Sequence, residues 1–384
     1  MNHRERFFSI LKGTRADRVP FFPDISTWYQ ASRLGVGTEQ PYPPGGYIPD
    51  DSPLHQQESR LTGRFAGMRF LDYYREFGWG LPVHVYDWFE ETYSGGIEKR
   101  TTTEGRHRTV TWDTPRGTLV RTYKLDAEGT WSEYGHMVKS LEELDIIRYI
   151  VEHTAWTPRF ELMERFLRET DGFGVADTVL FRSPFGKLVH EYMGFEAVTY
   201  ALFDHEDLVL DFLAFQEHYD LEFAAMAASS PLSIVIISDH ADENLISPPW
   251  YRRYCIPFYQ KACGLIHRAG KVVSTHLDGN FHGFLPFIGE TGFDLLDGCT
   301  PAPMFNYQVE ELAGALGEGM SCYCGVPASM FTTGVSADEI ASFGERIARA
   351  FDGRVIVNVG DILPPTGDIA GVIALGDHVQ SLSL

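Results

Sequence analysis

The chain has 384 residues, 44% of them hydrophobic and 14% aromatic, enough to bury a large core, while charged residues stay at 22%, far from the composition of a disordered polymer. Its 53 acidic against 32 basic side chains leave a formal net charge of −21, a surface that repels phosphate backbones and argues against a nucleic-acid partner. A small anionic ligand is not excluded, because a pocket can be locally positive. The five cysteines are odd in number and lack a disulfide-like pattern, which fits a reducing compartment. The opening residues are too charged for a signal peptide, and no run approaches the roughly 18 apolar residues of a membrane span. A cytoplasmic protein is expected, with a homo-oligomer left open.

In chain order, residues 3–12 read as a short amphipathic helix, with Phe7, Ile10 and Leu11 among charges. Residues 37–60, rich in Gly and Pro, read as a long loop rather than a linker. Residues 95–135 alternate Thr, Gly and Arg with Val, Leu and Tyr around a Pro115-Arg116-Gly117 turn, a β-hairpin insertion. From about 140 a βα rhythm takes over. Helical stretches at 158–170, 205–228, 251–268, 307–316 and 337–351 alternate with apolar runs at 175–181, 234–238, 271–275, 293–296, 321–324 and 355–359. Runs at 19–22 and 83–86 bring the candidate strands to eight. Short apolar strands between amphipathic helices imply a parallel sheet covered on both faces, and eight of them suggest an α/β fold of the (β/α)₈ TIM-barrel kind, one domain over 1–384 with the insertion near 95–135. No glycine-rich dinucleotide fingerprint follows any strand.

In such a barrel the polar groups just past the C-terminal strand ends form the active site. That rule selects Asp239, His240 and Glu243 after the apolar run IVIIS, then His276, Asp278 and Asn280 after KVVST, and Asp361 after VIVNVG. It also selects Asp297, Arg182 and Asp87. His276 and Asp278, two apart on a strand, would face one side, where an imidazole and a carboxylate share a proton or bind a divalent metal. Asp361 reads equally as a turn or helix-capping residue, and Arg182 equally as an anion clamp or a surface ion pair. Cys322 and Cys324 read as small buried side chains, since no second cysteine pair completes a zinc motif. No P-loop, G-x-S-x-G elbow or H-E-x-x-H motif occurs.

Several collinear segments together resemble the uroporphyrinogen decarboxylase superfamily, which includes decarboxylases and corrinoid-linked methyltransferases. They are Arg4-Glu5-Arg6 with Asp17-Arg18-Val19-Pro20, Thr114-Pro115-Arg116-Gly117-Thr118-Leu119, and Ser183-Pro184-Phe185 with Met193-Gly194-Phe195-Glu196. The series continues with Ser238-Asp239, Ile246-Ser247-Pro248, His276-Leu277-Asp278-Gly279-Asn280 and Asn358-Val359-Gly360-Asp361-Ile362-Leu363-Pro364. Where the decarboxylases carry Arg-Gln-Ala-Gly-Arg, this chain has Tyr29-Gln30-Ala31-Ser32-Arg33, and where they place a cleft histidine it has Asp361. Asp87 would stand in for their pyrrole-binding aspartate. Where the zinc methyltransferases use His-x-Cys and a later Cys, this chain reads His276-x-Asp278 with Asp361, a harder donor set.

The resemblance implies a methyltransferase that takes a methyl group from a small O- or N-methylated substrate to a corrinoid protein. His276, Asp278 and Asp361 would bind a metal such as Zn²⁺ or protonate the leaving group. Asp239, His240 and Glu243 would complete the polar shell, and Arg182 would orient the substrate. The chain lacks a corrinoid-binding Asp-x-His-x-x-Gly segment, so the corrinoid is expected on a separate partner. The alternatives are a cofactor-free decarboxylase of the uroporphyrinogen type, in which Asp87 and Arg33 would matter most, and a non-catalytic ligand-binding barrel; Tyr29 and Asn280 are further substrate-binding candidates.

Overall fold

The computed structural model describes residues 1–36, 47–126, 131–317, 319–332 and 334–384. The β-branched apolar runs form short strands: β1 (Leu81–Val85), β8 (Gly174–Leu180), β9 (Ile234–Ile237), β10 (Val272–His276), β11 (Leu295–Cys299), β12 (Ser321–Gly325) and β13 (Ile356–Asn358). They pair in parallel in the order β1-β8-β9-β10-β11-β12-β13. Every residue of β8, β9, β11, β12 and β13 is buried, as expected of a parallel sheet with both faces covered. Helices at Glu161–Glu169, Glu206–Ala227, Ile256–Arg268, Val309–Leu316 and Ala337–Ala350 match the expected stretches. The segment expected to start a helix at 251 begins instead with a π-helical turn, Tyr251–Cys255. Among the described residues no helix is long and apolar enough to cross a membrane.

The run at 19–22, expected as a strand, is a single bridge between Phe21 and Val357. Its backbone nevertheless reaches both edges of the curled sheet. Phe22 N–H donates to the Val357 carbonyl and Val357 N–H to that of Pro20, both at 2.9 Å, while Gly80 N–H donates to the Phe21 carbonyl at 2.9 Å. Pro20 has no N–H to extend the ladder toward the N-terminus, and past Phe22 the Asp24 and Val359 N–H groups both turn to the Asn358 side-chain oxygen, at 3.4 and 2.6 Å.

The two ends of the sheet differ. At the N-terminal strand ends, Val175, Ile234, Leu295, Tyr323 and Ile356 form an apolar cluster with Phe22. The amphipathic helix His3–Leu11 covers it with Phe7 and Ile10, which are 3% and 1% exposed. Phe7 meets Phe22 edge-on at 5.1 Å between ring centroids. Each such buried side chain contributes on the order of 1.5–3 kcal/mol. The opposite, C-terminal end is polar.

The hairpin expected at 95–135 is real around Thr114↔Gly117, but it is the centre of a larger element. Strands β3 (Glu98–Glu104), β4 (His107–Thr114), β5 (Gly117–Leu125) and β6 (Trp131–Gly135) form a four-stranded antiparallel sheet. β2 (Phe89–Tyr93) and β7 (Thr154–Pro158) pair antiparallel beside it. Trp112 and Leu119 bury into the same cluster as Val235 of the parallel sheet. Residues 127–130 of the expected insertion and 37–46 of the expected long loop lie outside the described residues.

One backbone contact ties the fold to the polar end. A Cβ at Gly325, the last residue of β12, would sit 2.2 Å from the Gly360 carbonyl oxygen and 2.4 Å from its Cα. Backbone cannot yield as a side chain can. Gly325→Ala is expected to destabilise the protein by about 1–3 kcal/mol in chemical denaturation, by forcing the turn before Asp361 outward. An unchanged denaturation midpoint would refute this account of the contact.

Candidate functional site

The polar end is built by ionisable side chains set into otherwise apolar strands. Parallel register pairs His84 of β1 with Asp177 of β8, and His276 of β10 with Asp297 of β11. The four side chains form one chain of contacts. His84 Nδ1 lies 2.8 Å from Asp177 Oδ2, and His84 Nε2 lies 3.5 Å from Asp297 Oδ2, joining β1 to β11 across the interior. His276 Nδ1 lies 3.4 Å from the same Asp297 oxygen, and its Nε2 lies 3.4 Å from Asp361 Oδ1. Asp177, His276 and Asp297 are all buried.

Burial alone would discharge both imidazoles. For His84 the Asp177 carboxylate, and then Asp297, outweigh that penalty and hold its pKa well above the usual range. For His276 burial is overcome by Asp361 and Asp297, and its pKa rises to about 9. Asp297 is pulled the other way: burial opposes ionisation, but hydrogen bonding to His276 and the charge of His84 keep its carboxyl below the ordinary value. Two further carboxylates feel the excess negative charge. Burial and then Asp361 raise Asp278 to about 6. Burial raises Asp24 to about 6 against the Ser26 hydrogen bonds and the His84 charge.

His240 follows β9 and lies beside His276 with 4.7 Å between ring centroids and the rings tilted by 59°. It holds a left-handed φ of 48°, uncommon for a non-glycine residue. Burial, and then the charge of His276, lower its pKa to about 2, so it stays neutral and available as a ligand or acceptor. Two sets of side chains bring ligand atoms within 4.8 Å of one another: His84, His276 and Asp297, and His240, His276 and Asp278. Asp361 belongs to neither set. Because β10 ends at His276, Asp278 reaches this group from the following turn rather than from the strand.

The remaining expected residues do other work. Asp239 is fully buried, and its carboxylate accepts the Ser183 backbone N–H at 3.1 Å together with the Ser183 and Tyr259 hydroxyls. Glu243 accepts hydrogen bonds from Gly283 N–H and the Asn306 amide, both at 2.5 Å, and so ties loops together. Asn280 donates its N–H to Asp242 at 2.9 Å. Arg182 donates to the Asp239 carbonyl at 2.5 Å and lies 3.5 Å from Glu191. It braces the backbone that presents His240. Tyr29 bonds His55 at 2.9 Å, and Arg33 donates to the Met68 carbonyl at 2.7 Å, so both hold the 50–70 segment. Asp87 is exposed.

His84 and Asp177 escape the strand-end rule because they sit inside apolar strands, and Asp24 is passed over although it lies two residues beyond the 19–22 run, which forms only a single bridge. A charged residue within LPVHV or GVADTVL is the signal that would have found the first two. Cys299, Cys322 and Cys324 are fully buried free thiols, and burial raises the pKa of Cys299 and Cys322.

No family model and no curated protein matches this chain in sequence. Solved structures do. A methyltransferase from Methanosarcina mazei aligns at a TM-score of 0.61 with 13% identity, over 99% of this chain and 98% of that one. A B12-independent methionine synthase from Shewanella sp. W3-18-1, in complex with selenomethionine, aligns at 0.48 with 10% identity, over 94% and 96%. The first likeness shows a shared mixed α/β fold.

The charge chain sets a pH dependence. The folded pKa of His276 exceeds the unfolded value of 6.5, so its stabilisation is complete below pH 6.5 and is lost as pH rises through about 9. Metal-free protein is expected to lose about 3 kcal/mol of unfolding free energy from His276 alone across that window. His276→Gln should flatten the profile. A stability that holds level from pH 6.5 to 10 in both proteins would contradict the arrangement.

Proposed function

We propose that the chain is a methyltransferase-type barrel enzyme acting on a small O- or N-methylated substrate, with a corrinoid on a separate protein as methyl acceptor. One observation carries the reading: His276 stands at the C-terminal end of β10 between Asp297 and Asp361, with His240 and Asp278 in ligand range. Support for the methyl-transfer class comes from the shared fold with the archaeal methyltransferase. We further infer that residues 20–22 serve as the eighth stave of a closed (β/α)₈ barrel in one domain, on the hydrogen bonds they make to both sheet edges.

Breaking the bond between methyl carbon and heteroatom leaves the electron pair on oxygen or nitrogen, which must gain a proton as the methyl departs to the acceptor. His276 is placed to give that proton, its ring fixed by Asp297 on one nitrogen and Asp361 on the other. Asp361, at 43% side-chain exposure, is the partner open to a substrate. Arg182 and Asp239 hold the loop that carries His240, so the substrate meets a rigid wall.

The donor chemistry also fits a divalent metal. Imidazole nitrogens and carboxylate oxygens converge without a thiolate, and Asp177 Oδ1, buried beside His84, has no partner. A Zn²⁺ ion held by His240, His276 and Asp278 or by His84, His276 and Asp297 would supply Lewis acidity toward the substrate heteroatom. The decarboxylase alternative finds no such assembly, since Tyr29 and Arg33 are engaged with the 50–70 segment and Asp87 is exposed.

Reduced cobalamin offered with a panel of methyl ethers and methylamines should be methylated in the presence of the protein, followed by its absorbance. His276→Ala should lower kcat by about 10²–10⁴-fold. Failure of the wild type with every donor, with and without added zinc, sinks the reading. Zinc titration by calorimetry is expected to show stoichiometric binding that weakens at least about tenfold in Asp278→Ala. Equal affinity in the variant would remove Asp278 from the ligand set.

A further inference from the structure

A cavity of about 200 Å³ lies between the inserted antiparallel sheet, the helix Leu144–Glu152 and the start of the segment after β8. Its walls carry Trp112, Trp156, Phe181 and Tyr192, with Ile147 and Ile150 from the helix. Such a space holds about six waters, or one ring with a small substituent. The lining is aromatic enough that a flat ring fits it better than water does.

The polar groups around it have unused capacity. Trp156 Nε1 is buried with no hydrogen-bond partner. Lys187, whose side chain is 6% exposed, donates to Asp220 Oδ1 and stands 4.8 Å from the Phe181 ring, while the buried Asp220 Oδ2 has no partner. An ammonium has three donors, so at least one N–H of Lys187 is open to a further acceptor. The charged groups of the wall are already paired: Lys99 with Glu91 at 2.8 Å, Arg121 with Glu133 at 2.6 Å, Lys187 with Asp220, and Glu191 with Arg182 at 3.5 Å. An added anion or cation would therefore be buried without a counter-charge.

We propose that this cavity is a binding site for a neutral planar aromatic compound bearing a carbonyl, with the ring between Trp112, Trp156 and Phe181 and the oxygen accepting from Trp156 Nε1 and Lys187. The site is separate from the His276 cluster. It adjoins that cluster through Glu191, which lines the cavity and lies 3.5 Å from Arg182, the residue bracing the backbone at Asp239.

The test uses the full chain and three probes of one size: benzamide, benzoate and benzylamine. Ligand-observed NMR and tryptophan fluorescence should show benzamide binding at least about tenfold tighter than either charged probe. Ile150→Trp, which fills the space from its more open wall, should abolish binding. Trp156→Phe, which keeps the wall and removes only the N–H, should weaken benzamide several-fold without changing the response to toluene. No benzamide binding up to its solubility limit overturns the proposal. So does equal affinity for all three probes, or undiminished binding in folded Ile150→Trp. Should Ile150→Trp not fold, undiminished benzamide affinity in Trp156→Phe overturns it alone.

Discussion

The constraint on which this structure turns is the burial of ionised groups at one end of a parallel sheet. Each of Asp177, Asp297 and the two imidazoles would cost several kcal/mol if buried alone. They are tolerable only as an alternating series in which each imidazole lies between two carboxylates and Asp297 lies between two imidazoles. The link between His84 and Asp297 crosses the sheet interior, so β1 and β11 must keep their separation for the pairing to survive. The other end carries no such demand and is sealed by Phe7, Ile10 and Phe22. The large apolar cluster that joins the parallel sheet to its helices and to the inserted sheet supplies the bulk of the burial energy, the floor adds to it, and the polar end spends some of it to hold charge in fixed positions.

Fixing those positions takes special backbone as well. Gly298 has a φ of 71°, and a Cβ there would fall 2.6 Å from the His276 ring. Glycine is therefore what lets the imidazole lie flat against the end of β11. Gly186 gives the same clearance to Asp239, whose oxygen would meet a Cβ at 1.8 Å. That carboxylate, satisfied by Ser183 and Tyr259, anchors one loop to another rather than meeting a substrate. Its backbone neighbour His240 inherits a strained conformation, held by Arg182 on the preceding carbonyl.

Much of this was legible in the amino-acid order. Seven of the eight expected strands form, because continuous β-branched runs between amphipathic helices leave a parallel sheet as the simple way to bury both faces. The run at 19–22 misled only in length, since periodicity counts apolar residues and overlooks both the missing donor of Pro20 and the Asn358 side chain that takes the Asp24 N–H. The strand-end rule brought out His276, Asp278, His240 and Asp361, whose side chains do converge. It could not separate them from Asp239, Glu243 and Asn280, because a polar residue after a strand looks the same whether it faces the opening or a neighbouring loop. His84 and Asp177 were hidden for the opposite reason: inside an apolar strand, one charged residue reads as noise until its partner on the next strand is known. The β2–β7 pairing, between segments some 60 residues apart in sequence, had no local signal at all.

The geometry around His276 makes metal binding and proton donation alternatives rather than partners. An imidazole has two nitrogens, and here both face carboxylates. A cation taken up by either ligand set requires His276 to be deprotonated, so binding must release a proton and grow stronger as pH rises. Proton donation requires the reverse. Asp361 distinguishes the two states, being outside both ligand sets yet in contact with Nε2. Without metal it holds the imidazolium in place. With a metal bound by either ligand set, Asp361 would lose that charge as a partner, and its half-exposed carboxylate would be free to accept from another group. The charge on His276 therefore sets how strongly that aspartate is held at the polar end.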